Sequence, residues 1–420
     1  MNRSLPKGRR GFALVITLAM LALLVLAVYA LSALVRVNAQ VASAGVAQMQ
    51  ARQNALLGLS IACGELQRTA GIDSIVTGRS SVRAKTAANS VLLGLWNGTN
   101  PTVDPINWMV SGNFPPDSPR SINSLGVPSE ATDVVTLLGE NTVVKSSSGR
   151  NYARAKKLAV LSESGVRSGG YAFWIGDEGV KAPVATLSSQ APLSGSGSPL
   201  LASPRGEVPT FSASTANLQR IVAAEQLSFL APGASLKSRF HDYAHRAQWV
   251  SGANVVAGLF NLNTTSEESW KAVFAAYDAA RPAGSVALGS RYADVAESLT
   301  GLFTNRATSG GKVRQGPYIS VDAFWDSGLV ADALTAAGVL DIEQDDIRTT
   351  LGPIFTVRSD TFRIRAYGEA LNPVDGATIE ARAYCEAIVQ RTPEIIDSIT
   401  GPMGRRFVVT YFRWLGPDDI

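Results

Sequence analysis

Histidine and cysteine are scarce in this 420-residue chain, which has two of each. The two imidazoles, His241 and His245, leave little material for a histidine-based nucleophilic relay or a multi-histidine metal centre. The two thiols, Cys63 and Cys385, exclude a disulfide framework. They allow one disulfide in an oxidising compartment or, equally, two buried thiols, and their sequence separation does not choose between the two. Charge is also thin, at 17% against 46% apolar residues, a balance that fits a folded chain rather than a disordered one. No phosphate loop or dinucleotide fingerprint is present. Proline is missing between Pro6 and Pro101, so no ring interrupts a helix there.

A net charge of +4 raises the question of a phosphate-binding surface. Arg3, Lys7, Arg9 and Arg10 lie at the extreme N-terminus, with no acid among them. Once these are set aside, the 38 basic residues fall to parity with the 34 acidic ones. A chain that grips nucleic acid needs a basic stripe to displace counterions. Nucleic acid is therefore not an expected partner.

From Gly11 to Val35 the chain reads GFALVITLAMLALLVLAVYALSALV, without one charge. This run exceeds the ~20 apolar residues that cross the hydrocarbon core as a helix. Basic residues precede it and Arg36 is the first charge after it. The positive-inside rule then keeps the N-terminus in the cytoplasm and sends the bulk of the chain outward. A secretory signal would have a shorter apolar region and a small-x-small cleavage site behind it. An uncleaved signal anchor fits the length and the charge. A third reading follows from Gly11: the basic leader ends in glycine, and Phe12 with Ala13-Leu14-Val15-Ile16 follows at once.

That arrangement, RRGFALVITLAMLALL, resembles the class III signal of type IV pilins and type II secretion pseudopilins. The resemblance implies that a prepilin peptidase cleaves after Gly11 and N-methylates Phe12 as the mature N-terminus. Because the cut precedes the apolar run, the helix would stay in the membrane. Most pilins carry Glu at the fifth mature position, where this chain has Ile16. A buried carboxylate is costly unless paired, and in the family it pairs with the amine of a neighbouring subunit. Minor pseudopilins that lack it, such as the K-type subunit, sit at the tip. The resemblance thus implies a minor, tip-located or priming subunit; a bulky head, hard to repeat along a thin filament, points the same way.

Residues 36–70 are rich in Ala, Gln, Leu and Val and continue the helix, ending with Arg68 near the C-terminus and Gly71 beyond. Gly45, Gly58 and Gly64 each weaken it by up to ~1 kcal/mol. Residues 71–250 are expected to be irregular with some β structure. Within them, YAFWI and VKAPVA flank Gly176-Asp177-Glu178-Gly179 and predict a hairpin, and Leu187 to Gly206 reads as a surface excursion. Residues 251–356 are mainly helical. Thr264-x-x-Glu267 and Thr265-x-x-Glu268 both fit capping boxes before SWKAVFAAYDAA, in which Trp270, Phe274 and Tyr277 share a face. Further helices are predicted in RYADVAESLTGLF, VDAFWDSGLVADALTAAG and EQDDIRTTLGPIF. Over 357–420 the period changes to two: TFRIRAYGEAL and TIEARAYCEAIVQR should pair across Asn372 to Gly376, with a last strand near Arg405–Trp414.

GYAFWIGDEGVKA, AGLFNLNTTSEESWKAVF, SDTFRIRAYGEALNP and ARAYCEAIVQRTPE resemble the large pseudopilin-like proteins called Verru_Chthon cassette protein A. That resemblance covers most of the chain and implies co-assembling, prepilin-like partners. The order of these segments is also similar to K-type minor pseudopilins, in which a helical domain interrupts the pilin sheet.

Candidate chemistry is sparse. His241-Asp242-x-x-His245 would put two imidazoles on one helix face, without a third ligand; surface or core-edge histidines explain it better. Asp341, Glu343, Asp345 and Asp346, with Asp322 and Asp326 upstream, are candidate calcium ligands. K-type pseudopilins hold calcium. A helix N-terminus decorated with acids explains the cluster more simply. Asp177 and Glu178 read as turn residues before a catalytic pair. Ser194-Gly195-Ser196-Gly197 has no strand leading into it and is no nucleophile elbow. Tyr171, Phe173 and Trp174, with Tyr411, Phe412 and Trp414, could line a ligand surface, although a sheet–helix core is the simpler reading.

The expectation is an α+β protein: residues 1–11 a cytoplasmic leader, 12–35 a transmembrane helix, 36–70 its extracytoplasmic extension, then a pilin-like head with a helical insertion and a C-terminal antiparallel sheet. It is not expected to be an enzyme or to hold a cofactor. Its expected partners are a prepilin peptidase, other pilin-like subunits and membrane lipid, with the bulk of the chain periplasmic or extracellular. The alternatives are an unprocessed, single-pass anchored binding or adhesion protein and, less economically, an anchored hydrolase.

Overall fold

A computed structural model of the chain describes residues 10–83, 91–99, 105–113, 133–143, 151–183, 240–244, 260–303, 316–396 and 403–420. Helix α1 (Arg10–Ala70) is 61 residues long, or about 90 Å. Gly45, Gly58 and Gly64 do not interrupt it, and Arg68 complements the dipole at its last turn. Gly71, read from sequence as a helix stop, is needed for a close approach: a Cβ there would lie 2.1 Å from the Met403 carbonyl. Only glycine lets those two backbones touch.

After α1 come β1 (Ile75–Arg79), β2 (Leu93–Asn97) and β3 (Asn107–Trp108), which form a small antiparallel sheet. Strand β1 is short and carries Gly78. Strands β4 (Val134–Leu138) and β5 (Ala153–Lys156) pair with each other. Next are β6 (Leu158–Leu161), β7 (Arg167–Asp177), β8 (Ala182–Pro183), β9 (Tyr243–Ala244) and β10 (Phe260–Asn261). The helical stretch comprises α2 (Glu267–Ala280), α3 (Tyr292–Phe303), α4 (Val321–Asp326), α5 (Leu329–Ala336) and α6 (Gln344–Leu351). Strands β11 (Phe355–Thr356), β12 (Thr361–Leu371), β13 (Ile379–Ile395) and β14 (Arg405–Leu415) follow. The main sheet has the order β14-β13-β12-β7-β6, and every pairing in it is antiparallel. The fold is α+β.

Three local expectations need correction. The segment after Gly179 does not fold back on β7: β8 pairs in parallel with β9, while β7 lies between β12 and β6. The buried Glu178 draws the chain toward Arg363 and Lys181 instead of into a hairpin turn. The cap of α2 is Ser266, whose side chain accepts from Ser269 N–H, so the capping position falls one residue beyond the two threonines. VDAFWDSGLVADALTAAG forms two helices, because Gly328 adopts a left-handed conformation between them (φ 68°).

The sheet has two dissimilar faces. Phe362, Ile364 and Ala366 of β12, with Cys385, Ala387 and Val389 of β13, join α1 in one apolar core. Trp174 and Tyr367 join a second core that contains the helical stretch, where Trp270 stacks on Phe274 and Phe324.

Candidate functional site

The first functional feature is α1 itself. From Phe12 to Val46 every side chain is exposed, and burial begins at Ala47. Phe12, Leu18, Leu23 and Leu26 are each about seven-tenths exposed, so the apolar half of the rod has no cover among the described residues. Among the described residues it is the one helix long and apolar enough to cross a membrane.

The second half of α1 is built to enter the sheet. Ala47, Ala51, Ala55, Leu59, Ala62, Leu66 and Ala70 recur every three or four residues and are buried, a single stripe on a 3.6-residue period. Their small side chains bring backbone against backbone: a Cβ on Gly368 would stand 2.2 Å from both Ala51 O and Ala55 N. Polar pins fix the register. Asn54 Nδ2 donates to the Glu369 carbonyl at 2.7 Å, and Gln67 bridges the last strand through Nε2 to Arg405 O and Oε1 from Phe407 N–H. At the top, Arg391 and Arg405 both reach Asp73. The Arg405 hydrogen bond lowers the Asp73 carboxyl to about 2.

The other face of the sheet carries buried ions. Glu386 is fully buried and accepts from Arg363 Nη1 at 3.0 Å, Arg365 Nε at 2.8 Å and Arg413 Nε at 3.0 Å. Burial pushes its carboxyl up, but the three guanidiniums outweigh this and hold it well below the usual range. Arg363 also meets Glu178 at 3.1 Å, which Lys181 Nζ contacts at 2.6 Å. The Phe240 ring lies under Lys181, Arg363 and Arg365, with cation-to-centroid distances of 4.5, 5.1 and 5.6 Å. Alongside, buried Glu369 takes Lys157, Arg167 and the Tyr367 hydroxyl. Sequence reading missed this layer. Its signal was present, since Arg363, Arg365, Tyr367 and Glu369 alternate with apolar residues in a strand covered on both sides.

The residues with potential chemistry are spread among structural roles. His241 is half-buried, its Nε2 bonded to the Asn151 carbonyl at 2.8 Å. Burial, with Arg79 and Lys181 nearby, lowers its pKa well below the ordinary value. His245 and Ser194 to Gly197 lie outside the described residues. Asp177 and Glu178 are both buried, and Asp177 Oδ1 accepts from Gly179 N–H.

The four calcium candidates do not converge. Asp341 binds Arg291 at 2.6 Å, Asp346 accepts from Glu343 N–H at 3.0 Å to cap α6, and Asp345 occupies the first turn. Upstream, Asp322 pairs with Arg348. Among the described residues no group of three His, Cys, Asp or Glu side chains is placed to hold a metal. Arginine pairing and helix capping account for these acids.

Cys63 and Cys385 are free thiols on the α1–sheet seam, pushed by burial up to about 11 and about 12. Of the two aromatic sets, Phe173 and Trp174 are core residues, whereas Phe412 and Trp414 remain 40% and 38% exposed on β14.

No known family model matches this chain, and no curated protein does. Among solved structures, the GspK-GspI-GspJ complex of the type 2 secretion system from enterotoxigenic Escherichia coli aligns with 62% of this chain and 83% of its own, at 11% identity and a TM-score of 0.31.

Proposed function

We propose that this chain is a membrane-anchored, pseudopilin-like subunit that works by assembly and not by catalysis. One observation carries the reading: a single unbroken helix is apolar from Phe12 to Val35 and uncovered from Phe12 to Val46, then sinks its small-residue stripe into an antiparallel sheet. Such a rod satisfies its own backbone polar groups in lipid and offers its uncovered face to lipid and to helices of other pilin-like subunits. A prepilin peptidase would cut after Gly11 and methylate Phe12. The lack of a carboxylate at Ile16 and the size of the head favour a minor, tip or priming position. The N-terminus would face the cytoplasm and the head the periplasm or exterior.

Mass spectrometry of the membrane-extracted protein tests this. The expected N-terminus is N-methylated Phe12, and Gly11→Leu should leave the precursor uncut. An intact Met1 start in the native host would instead support an unprocessed anchored binding protein.

A further inference from the structure

Most guanidiniums of the head have carboxylate partners: Arg363, Arg365, Arg391, Arg405 and Arg413 each reach one. Three others have none among the described residues. Arg52 of α1, Arg154 of β5 and Arg382 of β13 line one cleft of about 660 Å³, in which Glu140 is the one acidic side chain.

The fold builds this cleft at the rim of the main sheet. Strand β14 ends at Leu415, opposite Tyr384, whereas β13 continues past it. Arg382 therefore stands beyond the end of the neighbouring strand. The chain after Leu415 swings away toward the β4–β5 connection, where Asn141 N–H donates to the Ile420 carbonyl at 2.9 Å. Helix α1 closes the other side, with Gln48 Nε2 donating to Arg382 O at 3.4 Å. The Arg52 guanidinium lies 5.4 Å over the ring of Trp414, a residue 38% exposed.

Single unpaired surface arginines are ordinary. Three lining one concave volume of small-ligand size, roughly 300–1,000 Å³, beside a part-exposed indole, form a different arrangement. Guanidinium forks match the paired oxygens of carboxylates and phosphates, and the aromatic walls suit a flat or apolar body. The height of the cleft argues against lipid. Arg52 stands about 25 Å along the helix from Val35, past the several ångströms of headgroup that flank the hydrocarbon core.

We propose that this cleft binds a small organic anion, with at least two acidic oxygens on the guanidiniums of Arg52, Arg154 and Arg382 and a planar or apolar part against Trp414. The site would serve as a ligand-reading surface of the head, independent of how the N-terminus is processed.

The test uses the full chain in neutral detergent, with isophthalate and inorganic phosphate as probes in calorimetric titration. Saturable isophthalate binding is expected, weakened about tenfold or more in Arg52→Gln/Arg382→Gln, with an unchanged near-ultraviolet circular dichroism spectrum. Trp414→Ala should weaken isophthalate and spare phosphate. The Gly11→Leu precursor should titrate like the mature protein. Equal affinity in the double variant, or no saturable binding of either probe at millimolar concentration, overturns the assignment. So does charge-dependent binding to phosphatidylglycerol vesicles without binding of the small anions.

Discussion

Gly368 of β12 packs directly on the backbone of α1 at Ala51, so closely that a methyl group on it would lie 2.2 Å from the Ala51 carbonyl oxygen. Neither backbone can retreat without opening the seam that joins rod to head. Gly368→Ala should therefore destabilise the head by about 1–3 kcal/mol, the usual cost of overpacking. Gly64 is the control, because nothing lies within 4 Å of a Cβ added there. In Gly64→Ala the gain in helix propensity should stabilise by up to ~1 kcal/mol. Urea midpoints of the two variants should move in opposite directions, and a shared direction would count against the seam.

Glu386 holds three guanidiniums through a fully buried carboxylate. Removing its charge leaves Arg363, Arg365 and Arg413 close together, with Glu178 the nearest remaining acid for Arg363. Glu386→Gln should cost on the order of 3–5 kcal/mol, the range for breaking one side of a buried pair. Arg413, a quarter exposed, can turn to solvent, so Arg413→Gln should cost much less. Comparable losses in both variants would mean that the ions do not form the hierarchy inferred here.

The sequence made the N-terminal rod and the C-terminal hairpin legible because each has one dominant period. The uncharged run from Gly11 to Val35 reads as one long apolar helix, and the alternation in TFRIRAYGEAL as a strand. Less legible were features set by contacts between distant segments. The GDEG stretch has turn chemistry, yet Glu178 pairs with Arg363, a partner far away in sequence. The acids of DIEQDDIR read first as a helix N-terminus, which Asp345 and Asp346 occupy, but that Asp341 pairs with Arg291 had no local signal. The cleft of Arg52, Arg154 and Arg382 gives no local signal at all, since it draws one arginine from each of three elements.

Asp177 gives the head an unusual pH response. Burial raises its carboxyl to about 6, against an ordinary value of 3.8, and Oδ2 has no partner among the described residues. Arg79 lowers it and Glu178 raises it, but burial outweighs both. A folded-state pKa above the unfolded value means that this group's stabilisation is complete below the unfolded pKa and is lost as pH rises through about 6. Asp177→Asn retains an acceptor for Gly179 N–H and removes the titration. It should flatten the stability profile between about pH 4 and 7 and stabilise at neutral pH by up to roughly 3 kcal/mol. Denaturant midpoints across that range check it; parallel profiles for parent and variant would exclude the effect.

Asp73 has the opposite sign. It sits just past the end of α1 and clamps the last strands through Arg405, with Nε at 2.9 Å and Nη2 at 3.0 Å, and through Arg391. The Arg405 hydrogen bond lowers its carboxyl to about 2, from an ordinary 3.8. Stability from the clamp is therefore complete above the unfolded value and disappears as pH falls through about 2. The carboxylate side chain is 55% exposed, so solvent screening limits the effect to about 1 kcal/mol or less. Asp73→Asn should lower the melting temperature at pH 7 slightly, and parent and variant should converge near pH 2. Added salt should shrink the pH 7 difference, because the Debye length shortens to about 3 Å at 1 M, while leaving the loss in Glu386→Gln nearly intact. A difference that persists unchanged at low pH and in high salt would show that Asp73 acts through packing, not as an acid–base clamp between helix and sheet.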